Sequence, residues 1–528
     1  MKGDGKVIFW AIFLSIISMV GIIGFGILIA IYINTGADSS RLFSDNLSYE
    51  VMRKPEDIPV TREKPETIDI SQLYSLRNLL ETQKFDALNT ILDEYQNLFI
   101  LDNTNEYKVS DAFEVFKTTY PEYEELLLTW ISDYPDCYQP YIAIAEYYYA
   151  KGWESRGNKY ANETSDEQFR VMQEYFIKAE KNANEALLIN PNLMVAYEIL
   201  IGISNAGTTE KSEDQLIMEA LELFPYSFNI WATASWAKQP RWGGSYKQME
   251  QIAKAAEKYI GRNQRLSVLY GLIYHDQSRY FLHDEKYDNA MKLIEKARDY
   301  GDYRPFYYDL AEIYYYDQQN YDLALGPITK AIQLRPTFCE NYILRSKIFF
   351  KKRMYEESLD NLRIAEIIDP GNSFLQNTKK WECIELVNEG IDHFKSDPKV
   401  AIEYYNMAIQ FDDKNFEPYY RKSYAYYSLK NVESALSNAI TAAELNPRHF
   451  ESYRLIDYCL MQSRDWATII KYWNYFLELE PNHAEAYFER SGTYYHNKDM
   501  EHALADLKKA CELGHEEACN MYQQFAGK

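Results

Sequence analysis

Residues able to hold or act on a ligand concentrate in two short strings, Gly152-Trp153-Glu154-Ser155-Arg156-Gly157 and Pro240-Arg241-Trp242-Gly243-Gly244-Ser245. Each places an arginine near a tryptophan and glycine. Arg156 and Arg241 offer planar charged forks suited to an anionic or sugar-like ligand, and Trp153 and Trp242 offer flat faces. If the fold brings the strings together they line one pocket, with Glu154 pairing either arginine or serving as acid or base. The same residues also read as architecture. Pro240 ends a helix, the paired glycines take backbone angles other residues resist, and Ser245 caps the next helix with Gln248 completing a capping box. In the other string Trp153 is a wedge, Gly157 a helix terminator, and Arg156 a partner for a carboxylate or helix-end carbonyls.

No other catalytic pattern is present. The sequence has no G-x-S-x-G, P-loop, dinucleotide fingerprint or paired-carboxylate motif, and Pro-Arg-Trp-Gly-Gly-Ser lacks the lysine-serine end that cradles phosphate. The eight histidines include no H-E-x-x-H, and Cys137, Cys339, Cys383, Cys459, Cys511 and Cys519 include no C-x-x-C. Neither a metal nor a cofactor is expected. Cys511 and Cys519 are the close pair, either free and buried or bridged in an oxidising compartment.

Helices must position these residues. Pro336 and Pro370, and again Pro447 and Pro481, lie 34 residues apart, and each closes a pair of helix-sized segments. Tyr315, Tyr321, Ala324 and Ala331 precede Pro336, and Phe349, Tyr355, Ser358 and Ala365 precede Pro370. Tyr419, Tyr426, Ala435 and Ala442 precede Pro447, Tyr453 and Trp466 precede Pro481, and Tyr487, Tyr494, Ala503 and Ala510 complete the last unit. Aromatics fill the space between two helices, small residues let backbones approach, and proline stops the second helix. This pattern resembles the tetratricopeptide repeat (TPR). The resemblance implies an all-α fold, an α-solenoid of stacked antiparallel hairpins whose inner groove seats an extended segment or a partner helix. Glu312 and Asp457 stand where that family prefers a small residue, and the unit around Ala401 and Ala408 lacks the closing proline. Polar residues interleaved with the repeat positions are the groove candidates: Asn341, Arg345, Arg421, Lys422, Arg454, Glu489 and Arg490.

Residues 71–260 are helical but out of strict register with the later repeats. Their opening LRNLLETQKFDALNTILDEYQ, together with the GWESRG and PRWGGS strings, resembles an uncharacterised bacterial family, DUF4034-like, that accompanies TPR arrays. That resemblance implies a fold and no activity.

Residues 7–33 carry no charge and exceed the roughly 20 residues that cross a bilayer, so a single N-terminal transmembrane helix is expected. Lys2 and Lys6 before it keep residues 1–6 cytoplasmic, which places the bulk of the chain outside an inner membrane. Residues 34–70, with Pro55, Pro59 and Pro65, read as an extended linker. The expected order is then a helical domain at 71–260, a divergent hairpin at 261–304, the repeat array at 305–513 and a capping helix at 514–528. The net charge of −23 repels phosphate backbones, which makes nucleic acid a poor partner; it either favours a basic or extended protein partner or serves only solubility. The leading expectation is a membrane-anchored scaffold that binds protein and performs no chemistry. The alternative is a ligand-binding or enzymatic module in 71–260, centred on the two tryptophan-arginine strings.

Overall fold

The structure is a computed structural model that describes residues 49–157, 163–204 and 206–526. Among these the chain forms 25 α-helices and no strand. The expected transmembrane segment 7–33 lies outside the described residues. Among the described helices none is long and apolar enough to cross a membrane.

The described residues divide into two compact units, the first running to Lys352 and taking in Arg363–Asn372, the second holding Arg353–Leu362 and the helices from Ser373 onward. The first holds α1 (Ile70–Glu81), α2 (Phe85–Leu101), α3 (Glu106–Glu114), α4 (Pro121–Asp133), α5 (Tyr138–Arg156), α6 (Asp166–Ile189), α7 (Met194–Ser204), α8 (Glu213–Leu223), α9 (Phe228–Ala237) and α10 (Tyr246–Ala256). It continues through α11 (Val268–His283), α12 (Tyr287–Asp299), α13 (Arg304–Tyr316), α14 (Tyr321–Leu334) and α15 (Cys339–Lys351), and α16 (Tyr355–Ile368) straddles the division. The second unit holds α17 (Ser373–Phe394), α18 (Pro398–Phe411), α19 (Phe416–Ser428), α20 (Val432–Leu445), α21 (Phe450–Met461), α22 (Trp466–Leu479), α23 (Ala484–His496), α24 (Met500–Glu512) and α25 (Glu516–Ala526).

The 34-residue period is written in the backbone. Glu285, Gln319 and Arg353, then Lys430, Arg464 and Lys498, hold left-handed angles at the bend between paired helices. In four of these bends the next residue caps the second helix: Asn320, Asn431, Asp465 and Asp499 each accept a backbone N–H three residues on. The small residues of the repeat sit where helices approach: Ala324, Ala331, Ser358, Ala365, Ala435, Ala442 and Ala510 are fully buried. Enlarging one of them forces the pair apart, at a cost of about 1–3 kcal/mol. The unit without a closing proline still ends its second helix at Phe411, where Asp412 turns extended.

The departures from the repeat pattern have a structural reason. Asp457 accepts the indole N–H of Trp473 at 2.7 Å, so a buried acid takes the place of a small residue by satisfying a buried donor. Burial pushes its carboxyl up to about 6, and the bond from Trp473 limits the rise. Glu312 rises to about 7, again through burial first and the charge of Asp309 second.

The segment expected as a free linker is seated from Tyr49 onward. Val51 and Ile58 are buried in a core shared with α10, α11 and α12. The backbone N–H of Val51 donates to Tyr274 Oη at 3.0 Å, Gln277 donates to the Tyr49 carbonyl at 2.8 Å, and Lys296 pairs with Glu50 at 2.6 Å. Its prolines and charges promise extension, and apart from a 3-10 turn at Pro55–Asp57 it has no helix before Ile70, but Val51, Ile58 and Ile68 are buried.

The last helix is pinned. Cys511 and Cys519 form a disulfide that ties α25 to α24, which settles the choice between free and bridged cysteines.

Candidate functional site

The first helices of successive pairs in the first unit turn one face toward a shared concavity of about 470 Å³. Ser110 and Glu114 come from α3, Glu146 and Tyr149 from α5, and Glu198 and Gly202 from α7. Asn229, Thr233 and Trp236 follow from α9, then His275, Asp276 and Arg279 from α11. The spacings of three, four and seven residues repeat one helical face. A second cavity of about 350 Å³ shares Glu114, Lys117 and Phe338 with it and extends toward Arg77 and Asp369.

The anchors beneath this surface are paired polar groups. Glu106 accepts the Ser227 hydroxyl at 2.5 Å and the Asn229 N–H at 2.8 Å, which holds an acid at the N-terminal end of α9 where the helix dipole favours it. Arg335 pairs with the fully buried Asp111, lies 3.5 Å from Glu114, and stacks over the Tyr107 ring at 4.3 Å. Arg77 donates to the carbonyls of Ile367 and Ile368 at the end of α16. Arg241 pairs with Asp276, which also accepts the Tyr246 hydroxyl at 3.0 Å. Asp309 accepts from Arg279 at 3.2 Å and faces His275 Nε2 at 2.9 Å. Although burial alone would raise Asp309, His275 and Arg279 beside it hold it below the ordinary carboxylate range.

Two carboxylates are left over. Glu146, 8% exposed, and the half-buried Glu198 accept no hydrogen bond and meet no cation within ion-pair distance among the described residues. Burial pushes Glu146 up to about 7, with Lys117 opposing the rise and Glu114 adding to it. Burial pushes Glu198 up to about 8, and the charges of Glu146 and Glu106 add to the effect. Lys117 lies 3.7 Å from Glu114. Burial alone would lower its pKa, but Glu114 and Glu146 outweigh that and keep it charged. The side-chain carbonyl Oε1 of Gln239, on the same lining, is buried without a donor.

The two tryptophan-arginine strings do meet. Trp153 and Trp242 lie 6.1 Å apart between ring centroids, and both touch Trp236, at 6.5 and 5.0 Å. Of the five residues named from them, Arg241 alone lines the cavity. Trp153, Glu154 and Arg156 belong to the last turn of α5, not to a loop, and the helix stops at Gly157. Glu154 pairs with Lys151 at 2.6 Å and with neither arginine, while Arg156 donates to the Gly157 carbonyl at 3.2 Å. Two glycines are needed for close approach. A Cβ on Gly152 would meet the Phe176 ring at 2.4 Å, and one on Gly244 would meet the Lys238 carbonyl oxygen at 2.1 Å. Ser245 caps α10 by accepting the Gln248 N–H, and its hydroxyl donates to Gln248 Oε1 at 3.0 Å.

The groove candidates are distributed differently. Asn341 is fully buried, bonded by Arg304 at 3.2 Å and itself donating to the Arg335 carbonyl at 3.3 Å, so it braces the core and faces no groove. Arg345 lies over the Tyr342 ring at 5.5 Å. In the second unit Arg421 pairs with Glu417 at 2.7 Å, and Lys422 lies 6.0 Å from the Tyr426 ring. Arg454 reaches Glu489 at 3.3 Å, and Arg490 forms a two-pronged bond to Asp506 at 2.7 Å with a third to Asn474 at 2.6 Å. These are interlocked surface networks.

Sequence reasoning passed over Glu146 and Glu198. A signal existed: Glu198 is the one charged residue of α7, and Glu146 is the one charge between Tyr138 and Ala150. A lone acid inside an apolar helix marks a buried polar site.

Residues 72–206 match the family described as Domain of unknown function (DUF4034). No curated protein matches the sequence. Among solved structures the chain is similar to YrrB, described as a TPR protein with an unusual peptide-binding site, at 20% identity over 37% of this chain and 97% of that one, with a TM-score of 0.24. It is similar to the TPR2AB domain of yeast Sti1, solved as a pHSP90 complex, at 14% identity over 44% and 98% of the two chains, with a TM-score of 0.21. Similarity to pilF of Pseudomonas aeruginosa is 16% over 42% and 96%, with a TM-score of 0.23. Residues 72–206 are thus a DUF4034-like segment in a chain of paired helices whose bends recur, in part, every 34 residues.

Proposed function

We propose that this chain is a scaffold that binds segments of partner proteins along the concave faces of its helix pairs and carries out no chemistry there. The observation that supports this reading is the inward face of the first unit. Five first helices, α3, α5, α7, α9 and α11, contribute polar and aromatic side chains to one concavity, with a second cavity beside it sharing part of its lining. Its histidine is tied to a buried aspartate, and its arginines are tied to acids, as in a rigid recognition surface. Residues 7–33 hold the scaffold in an inner membrane with residues 1–6 in the cytoplasm. The disulfide between Cys511 and Cys519 suits the oxidising side, where the folded part then lies. The interlocked residues Arg421, Lys422, Arg454, Glu489 and Arg490 offer a second surface for the same partner or another.

The test is a photo-crosslinking residue placed at Thr233, inside the concavity, and at Lys178, on an outer helix face, in otherwise intact chain in cells. A partner captured from Thr233 and not from Lys178 supports the reading. Equal capture from both, or none from Thr233, would remove it. Fractionation of the same cells should leave the chain with membranes after alkaline washing, and recovery in the soluble fraction would refute the anchor.

A further inference from the structure

We infer that the concavity of the first unit takes the charged end of a lysine or arginine side chain from an extended partner segment, seated between Glu146 and Glu198. The inference rests on the protein-binding reading above and names the chemistry of the partner.

The pairing pattern leaves a vacancy of one sign. Arg335 is used by Asp111 and Glu114, Arg241 by Asp276, and Arg279 with His275 by Asp309. Glu106 is satisfied by a hydroxyl and a backbone N–H. Lys117 lies nearest Glu114, at 3.7 Å, and its charge also acts on Glu146 and Glu198. What remains without a hydrogen bond or a cation at ion-pair distance among the described residues is Glu146, more than nine-tenths buried and lining the cavity, with only the more distant charge of Lys117 acting on it; Glu198 and the unpartnered Gln239 Oε1 are on the same lining. With both acids ionised, as an incoming cation would hold them, all three are acceptors. A buried ion without a partner is costly, and donors that carry positive charge are the economical complement. A guanidinium brings five N–H donors and an ammonium three, whereas a neutral or anionic group would leave the acids unanswered.

The surroundings favour a side chain over a bare ion. Trp236 and Tyr149 on the lining give an aliphatic or planar stem something to lie against, and Trp236 is itself backed by Trp153 and Trp242. Among the described residues no group of three or more acids, histidines or cysteines is arranged to hold a metal. The second cavity, which shares Glu114, Lys117 and Phe338 with the first and reaches Arg77 and Asp369, is the inferred place of the flanking chain.

The experiment is an array of random twelve-residue peptides probed with detergent-solubilised full-length chain, repeated with the Glu146→Gln/Glu198→Gln chain and with spermidine as competitor. The expected result is enrichment of lysine or arginine at one fixed position among bound peptides. The double variant should lose roughly 30-fold in affinity for those peptides, as truncating one side of a buried charge pair does. A double variant whose melting temperature is not lowered, but which has lost this preference, separates recognition from folding. Binding without a basic preference, or a preference untouched by the double substitution, would overturn the inference while leaving the scaffold reading intact. Absence of any bound peptide would defeat the scaffold reading itself. Spermidine that binds wild-type chain more tightly than every peptide, and loses that affinity in the double variant, would assign the site to a free amine and refute the protein source.

Discussion

Replacing Glu146 by glutamine should strengthen the first unit, and by an amount that depends on pH. Burial holds this carboxyl at about 7 against an ordinary 4.5, with Lys117 providing the main opposition. Between those values the folded chain keeps a proton that the unfolded chain has released. Stability contributed by this group is therefore present at low pH and falls as pH rises through 7. Taking about 1.4 kcal/mol for each tenfold change in proton affinity, the ionised acid costs the fold about 3 kcal/mol near pH 8 and under about 1 kcal/mol near pH 5. Glutamine keeps the volume and removes the charge. Hydrogen exchange of the amides of α5, measured in the intact chain and corrected for intrinsic rates, reads this locally. Exchange in the variant should be slower by up to about 100-fold near pH 8 and nearly unchanged near pH 5. Faster exchange in the variant near pH 8 would mean that Glu146 is already paired in the free protein, and the reasoning about an unanswered charge would be wrong.

Other perturbations test separate parts of the structure. Arg241→Ala should destabilise the first unit by about 2 kcal/mol in a denaturant titration, because Asp276 is 1% exposed and loses its cation; no change would show the pair to be incidental. Asp457→Ala restores the small residue usual in the repeat yet should cost the second unit about 1–3 kcal/mol, since the Trp473 indole N–H loses its acceptor. A stabilised variant in differential scanning calorimetry would reject that explanation. Reducing the disulfide between Cys511 and Cys519 should weaken α25 by about 2–3 kcal/mol, seen as faster exchange confined to residues 513–526. Loosening throughout the second unit would instead make the bridge essential to the whole stack.

Much of the fold is legible because local rules and the global stack agree. Pro336, Pro370, Pro447 and Pro481 each follow the end of a second helix, and the alanines between them lie where backbones meet. The tryptophan strings were legible in part. Trp153 and Trp242 do approach, since aromatic side chains near helix ends seek one another across turns, but their ionic partners come from elsewhere. Asp276 lies 35 positions beyond Arg241, and nothing between the two announces the pair. Asn341 shows the converse error: a polar residue on a repeat helix reads as groove-facing, whereas Arg304 and the Arg335 carbonyl satisfy it in the core. The cavity itself was hidden. Its lining is drawn from residues 110 to 338, one or two per turn from each first helix, and whether an acid such as Glu198 has a partner depends on helices far away in sequence.

The inferred occupant of the inward face of the first unit is a basic side chain of a partner segment. An experimental structure of the full-length chain bound to the tightest peptide from the array tests this most directly. The expected result is an ammonium or guanidinium within hydrogen-bond distance of both Glu146 and Glu198, with the peptide backbone running along the opening toward Arg77. A peptide seated on another surface, with those two carboxylates still facing water, would contradict it.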